Sequence, residues 1–297
     1  MQLPNCGRPI YWAGRENQLQ QNGLPNKLGD HKQSKTMKIQ HLPRPFILAE
    51  TNWKAVQATK FEVAVLPWGA TEAHNYHLPY ATDNYQNEAI TEAAAKLAWE
   101  RGEKVVVLPN IPFGVQTGQL DIPLCMNMLP STQLAILKDV CDVLVRAGIP
   151  KLVIFNGHGA NEFRAMVREV SFFYPQLFTC ALNWFKVENK KGYFTNLDGD
   201  HADELETSVM LEIQPNLVMP LNEAGDGAVK KWKFKGAQEG WVTVQRDWTQ
   251  VTKDTGAGNP HESKVEKGRR YLEVVVSKVA DFFVDLAETP RSEFYEL

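Results

Sequence analysis

Four short, nearly unbroken runs of β-branched and other apolar residues constrain this chain most: Glu62 to Trp68 (EVAVLPW), Lys104 to Ile111 (KVVVLPNI), Lys151 to Phe155 (KLVIF) and Phe178 to Trp184 (FTCALNW). A strand with one face in water alternates apolar and polar residues, whereas a strand covered on both faces reads as a continuous apolar run. Segments of helical period separate the runs, and strands joined by helical crossovers pair in parallel. The pattern predicts an α/β fold, a parallel sheet with helices on both faces.

The helices have recognisable ends. About Asn84 to Arg101 is one, closed by Gly102 at C′; Ser131 and Thr132 can cap a second that runs to Ala147 before Gly148. Asn161 to about Phe173 and Asp203 to Ile213 are shorter, and Ser263 to Leu286 closes the domain with apolar residues at helical spacing. In Gly240 to Trp248, Trp241, Thr243 and Gln245 alternate with Val242, Val244 and Arg246, which predicts an exposed strand or a flap. Trp184, Phe185, Trp241 and Trp248 are candidates to line such a flap, with burial in the core as the plainer reading.

Residues 1 to 36 are rich in Gln, Asn, Gly, Pro and Lys and have no apolar period to fold around, so they read as an irregular N-terminal extension. A packed arm at an oligomer interface would have the same composition. The domain is expected over 37–297. Charged residues make up 23% of the chain and the formal net charge is −3, with Lys and Arg scattered, so nothing draws a nucleic acid. There is no apolar run of the roughly 18 residues a membrane span needs, and no charged-then-apolar leader. A cytoplasmic address is expected, with Cys6, Cys125, Cys141 and Cys180, which show no metal-binding spacing, as reduced thiols.

In open α/β sheets ligands bind beyond the carboxyl ends of the strands, so the residues just after each strand carry the most weight. The first strand leads into GATEAHNYHLPYATDN, which holds Glu72, His74, His77 and Asp83; the third into NGHGANE, with Asn156, His158 and Asn161; the fourth into a stretch containing DGDHADELETS, with His201, Asp203, Glu204 and Glu206. Four of the seven histidines fall in these loops. Each segment alone has a simpler reading: a structural His77, an acidic helix start, glycines that allow a tight turn. Their convergence on one edge favours a metal site, and imidazole nitrogen with carboxylate oxygen suits Zn²⁺, Mn²⁺ or Fe²⁺, with a bridging carboxylate able to join two ions. No GxSxG or Walker A sequence is present, and Gly157 and Gly159 make only part of a dinucleotide fingerprint.

These residues resemble the creatininase (creatinine amidohydrolase) family over about Trp53 to Leu286. PWGATEAHNYHLPYATD is similar to the family block PxGSxEQHGPHLPLxTD, NGHGAN to NGHGGN, HADELETS to HAGxxETS, and TGAGNPHESKVEKGRR to the stretch before the family's C-terminal helix. The resemblance implies a three-layer αβα sandwich with a mostly parallel sheet. It implies two divalent ions, zinc first and manganese or iron as alternatives, held by Glu72, His74, Asp83, His158 and Glu206, with Asp83 as the bridge. His201 would be the catalytic acid/base, with His77, Asn156, Asn161 and Trp184 contacting substrate or supporting the ligands. A homo-oligomer, often a hexamer, and a small amide substrate are implied as well. The chain departs from the family at Ala160, where a metal-holding Glu is usual, at Asn75 and Tyr76 in place of Gly-Pro, and at IPLCMNM in place of the FPGT region. The substrate expected is therefore an amide, cyclic amide or formamide other than creatinine. Two rival readings stand beside this: a metal-dependent isomerase or phosphoester hydrolase, for which only Lys186, Lys190 and Lys191 offer cations near the strand ends, and a non-catalytic metal-binding protein.

Overall fold

Successive side chains of a strand point to opposite faces of its sheet, so a strand buried on both sides must feed two cores. The computed structural model, which describes residues 43–296, shows this division. From β1 (Val63–Trp68), Val63 and Val65 join one apolar cluster while Ala64, Leu66 and Trp68 join the other. From β3 (Lys151–Asn156), Val153 and Phe155 go to the first and Leu152 and Ile154 to the second. The predicted extension 1–36 lies outside the described residues.

The remaining elements are, in order, α1 (Trp53–Gln57) before β1, then α2 (Thr82–Glu100), β2 (Val105–Val107) and α3 (Pro130–Arg146) before β3. After β3 come α4 (Phe163–Phe173), β4 (Phe178–Asn183), α5 (Glu204–Ile213), α6 (Lys235–Gln238), α7 (Trp248–Val251) and α8 (Val265–Glu288). The sheet order is β2-β1-β3-β4 and every pairing is parallel, with Val63 opposite Lys151 and Trp68 opposite Asn156.

Handedness then decides which face each helix covers. The crossover β1–α2–β2 runs one way along the sheet, while β2–α3–β3 and β3–α4–β4 run the other. Right-handed connections must therefore put α2 on one face and α3 and α4 on the opposite one. The clusters agree: Ile90, Ala94 and Ala98 of α2 share a core with Tyr271, Val275 and Phe283 of α8, whereas Leu137 and Leu144 of α3 share theirs with Met166 and Val170 of α4. The result is a three-layer αβα sandwich. Each fully buried aliphatic or aromatic side chain contributes about 1.5–3 kcal/mol to holding the layers together.

Three local expectations are corrected. The run KVVVLPNI yields only three residues of strand, because Pro109 has no N–H for the ladder, and the chain returns for one isolated bridge between Ile111 and Trp68. Ser131 and Thr132 do not cap α3; Leu129 is the N-cap, with no side-chain bond, and Pro130 starts the helix with a preset φ and no N–H to satisfy. Gly240 to Trp248 forms no strand. Its first amides turn back onto α6 instead, Trp241 N and Val242 N donating to Gly236 O (3.2 and 3.1 Å), and the segment is tied down at its end, where Trp248 N donates to Gly118 O (3.0 Å) and α7 begins.

Since β1 connects to β2 on one side and β3 to β4 on the other, the chain diverges between the carboxyl ends of β1 and β3. That divergence opens the crevice in which α/β proteins place their ligands. No described helix is long and apolar enough to cross a membrane. Cys125, Cys141 and Cys180 are free thiols.

Candidate metal centre

The crevice is filled with buried ionisable groups. Glu72 and His74 stand in the loop after β1, Asp83 in the first turn of α2, His158 two residues beyond β3, and His201 and Glu206 at the entry to α5. Glu72 and His74 are fully buried, Asp83 is 1% exposed, and His158 and His201 are each 6% exposed. Asp83 and Glu206 occupy the first turns of helices, where the unpaired N–H groups favour negative charge.

The side chains meet in overlapping groups of three: Glu72, Asp83 and His158; His74, Asp83 and Glu206; and Glu72, His74 and His201. His158 Nδ1 lies 2.8 Å from Glu72 Oε1 and 3.1 Å from Asp83 Oδ2. His74 Nε2 lies 3.0 Å from Asp83 Oδ1 and 3.9 Å from Glu206 Oε2, and His201 Nδ1 lies 3.8 Å from Glu72 Oε1. Asp83 thus turns one oxygen to each of the first two groups.

The backbone fixes the tautomer of each imidazole. His74 Nδ1 faces Glu72 O (3.1 Å), His158 Nε2 faces Val115 O (3.0 Å) and His201 Nε2 faces Ala73 O (2.8 Å). A carbonyl only accepts, so each of these nitrogens carries a proton. In the neutral ring the other nitrogen then presents its lone pair to carboxylate oxygens, two of which, Glu72 Oε1 and Asp83 Oδ2, are buried with no hydrogen-bond partner. Lone pairs facing carboxylates repel unless a cation stands between them, either a proton or a metal ion. Imidazoles whose outer N–H is anchored on a carbonyl are the usual arrangement of metal ligands.

Electrostatics without an ion points the same way. Burial works against charge on His74 and His158, but the carboxylates outweigh it: Asp83 foremost pushes His74 up to about 10, and Glu72 foremost raises His158 well above the ordinary imidazole value. Burial likewise opposes ionisation of Glu72 and Asp83, yet His158 for the one and His74 for the other hold both below the usual carboxylate range. Glu206 differs: burial, reinforced by Asp83 and Asp203, pushes it up to about 8. His201 is lowered by burial and then by His74, which leaves it a neutral base.

Backbone strain gathers at the same place. Among the described residues, four other than glycine adopt positive φ: Asn75 directly after His74, Ala202 directly after His201, Leu124, and Thr255, whose hydroxyl accepts the N–H of Asn75 (2.9 Å). Such conformations cost about 1–3 kcal/mol each and persist where the surroundings enforce them. At Ala202 the twist aims the backbone N–H at Glu206 Oε2 (2.5 Å).

The other residues singled out from the sequence have distinct places. Asn156 brackets His158, accepting its N–H (3.1 Å) and donating to its carbonyl (2.8 Å). Asn161 joins three loops: Oδ1 accepts from Val115 N (3.0 Å), and Nδ2 donates to Gly69 O (3.3 Å) and Asn156 Oδ1 (3.1 Å). His77 is buried and shares a hydrogen bond with Thr207 Oγ1 (2.8 Å); burial and then His74 push it down to about 4. Trp184 lies in the apolar core, edge-on to Phe185 and Tyr271. Trp248, by contrast, packs edge-on to the His201 ring at 4.8 Å. Ala160 is exposed and has no ligand atom.

The acidic run DGDHADELE divides by role. Asp203 caps α5 by accepting Glu206 N (3.0 Å), and Glu204, fully buried, binds Lys267 and the amides of Thr195 and Asn196. Of its carboxylates only Glu206 turns to the cluster, beside His201. Sequence reasoning missed Gln119, whose amide donates to Glu72 Oε2, and Cys125, which lies beside it. Neither stands at a strand end or in a recognisable motif.

The creatinine amidohydrolase family profile matches residues 49–283. Creatinine amidohydrolase of Pseudomonas putida is 23% identical over 201 residues, spanning 60% of this chain and 75% of its own length. A Bacteroides fragilis protein provisionally named a creatinine amidohydrolase has a crystal structure that is 41% identical, covers 86% of this chain and 100% of its own, and superposes with a TM-score of 0.80. Creatininase in its manganese form shares the fold at 23% identity and TM-score 0.67, covering 82% of this chain and 99% of its own. On the match across most of its length, this chain belongs to the creatininase (creatinine amidohydrolase) family.

Proposed function

We propose that this protein hydrolyses the C–N bond of a small amide, cyclic amide or formamide with the help of two divalent metal ions. One observation carries the reading: three imidazoles with carbonyl-anchored N–H groups aim their remaining nitrogens at three carboxylates, two of whose oxygens are buried and unpartnered. Glu72, Asp83 and His158 would hold one ion and His74, Asp83 and Glu206 the other, with Asp83 shared through its two oxygens. Each ion then has three protein donors without any contribution from position 160. Catalytic metal sites commonly keep three protein ligands and an open position. Zinc is the first expectation and manganese the second; related creatininase structures exist in zinc–zinc and manganese forms.

Bound ions would polarise the substrate carbonyl and lower the pKa of water towards about 7. The chain itself supplies the proton carrier. His201 is held by Ala73 O with its Nδ1 lone pair facing the cluster, and burial keeps it neutral, so Nδ1 can accept a proton from water and return it to the leaving nitrogen. Trp248, edge-on to this ring, limits its swing and forms one wall beside it. A related creatininase holds creatine. Ala160 and the IPLCMNM loop favour a different substrate here. Of the three lysines that could serve a phosphoester, Lys190 is committed elsewhere, donating to Gly199 O and Asp203 Oδ2 (2.7 Å each), and Arg246 pairs with Asp200.

An activity screen of cyclic amides, formamides and short peptides tests the reading. Metal-loaded protein should turn over at least one of these classes, lose the activity to a chelator and regain it with zinc or manganese. Inactivity of fully loaded protein towards all of them, or activity indifferent to chelation, contradicts it.

A further inference from the structure

The loop between β2 and α3 contains none of the proposed ligands, yet Gln119 within it is 1% exposed and has both amide atoms engaged at the cluster. Its Nε2 donates to Glu72 Oε2, which leaves Glu72 Oε1 as the oxygen facing His158 Nδ1. A neutral amide suits this task. It anchors one carboxylate oxygen without the positive charge of Lys or Arg, so the carboxylate keeps its full charge for a cation. The orientation of the amide is fixed in turn by Cys125, whose sulfur accepts Ala73 N–H (3.3 Å) and whose S–H points at Gln119 Oε1 (3.1 Å). With Oε1 taken by a donor, only Nε2 can face Glu72. Met126 N to Thr71 O (2.9 Å) ties the same stretch to the loop that bears Glu72.

We propose that Gln119 is the positioning residue of the Glu72 carboxylate, oriented by the Cys125 thiol, and that it sets the affinity of one of the two metal sites. This rests on the metal-dependent reading above and names a residue that acts through Glu72 on the ion. Burial raises the pKa of the Cys125 thiol and so keeps the donor protonated.

Calorimetric titration of the metal-free full chain with zinc chloride tests it. Wild type should show two binding steps. Gln119→Leu should weaken one step by about 10–100-fold, the usual cost of losing an outer-shell partner, and leave the other nearly unchanged. Cys125→Ala should give a smaller loss confined to the same step, and Cys125→Ser, which keeps a donor and an acceptor, should restore it. A merely structural role for Gln119 would lower the melting temperature and affect both steps alike. Two unchanged steps in Gln119→Leu overturn the proposal while leaving the metal-dependent reading intact; fewer than two steps in wild type overturn both. Should Gln119→Leu fail to fold, equal affinities in the Cys125→Ala and Cys125→Ser proteins would overturn it.

Discussion

The loops after β1 and β2 leave neighbouring strands and lie against one another, yet they contribute in opposite ways. The first carries Glu72 and His74, groups whose chemistry is visible in their side chains. The second has none of the proposed ligands, but Val115 O anchors His158, Gln119 anchors Glu72, and Gly114 sits so close to His158 that a Cβ there would come within 2.8 Å of the ring. One loop supplies donors and the other supplies their orientation. Metal affinity depends on both, because an imidazole or carboxylate free to rotate loses conformational entropy when it binds an ion.

The comparison can be broken from either side. Replacing Asp83 by Ala removes the only residue common to the two proposed sites, so both ions should be lost and activity should fall to background; elemental analysis and a rate assay check this together. His201→Ala should lower turnover by about 10²–10⁴-fold, the usual worth of a general acid or base, while bound metal stays nearly constant. Loss of metal in that variant would instead make His201 a ligand, a role its place beside Glu72 and His74 makes concrete.

Within the first turn of α5 the same contrast separates Glu206 from Glu204. Glu204→Ala leaves Lys267 without its buried partner and should cost about 3–5 kcal/mol of stability in chemical denaturation, with little direct effect on metal. Burial pushes the Glu204 carboxyl up, but the hydrogen bond from Lys267 and the amides of Asn196 and Thr195 outweigh it, so the group sits below its ordinary range. A carboxyl with a lowered folded pKa stabilises the fold above its unfolded value, roughly 4.3, and loses that contribution as pH falls through the folded pKa. The stability gap between wild type and Glu204→Gln should therefore be full at neutral pH and close in acid. The smallest effect is expected from Asn161→Ala, about 1–3 kcal/mol for partners left buried and unpaired, with weaker metal binding through the loosened Val115 loop.

Legibility in the sequence divides along the same line. Apolar runs revealed the strands because burial on both faces leaves a composition that survives any packing detail, and the ionisable residues after them stood out by chemical type. The sheet order and the short β2 depended on pairing and on the missing N–H of Pro109. Gln119 and Cys125 were invisible because an amide and a thiol in an irregular loop acquire a role only through the groups opposite them. Trp184 and Trp248 illustrate the limit. Both tryptophans are candidates from the sequence to line a flap, yet three-dimensional packing buries one in the core and sets the other against His201.

Metal content measured by elemental analysis on protein stripped with a chelator, reloaded and freed of excess ion tests the central claim most directly. The geometry predicts two zinc or manganese ions per chain, reduced to none in Asp83→Ala. Less than one ion per wild-type chain after reloading would contradict it.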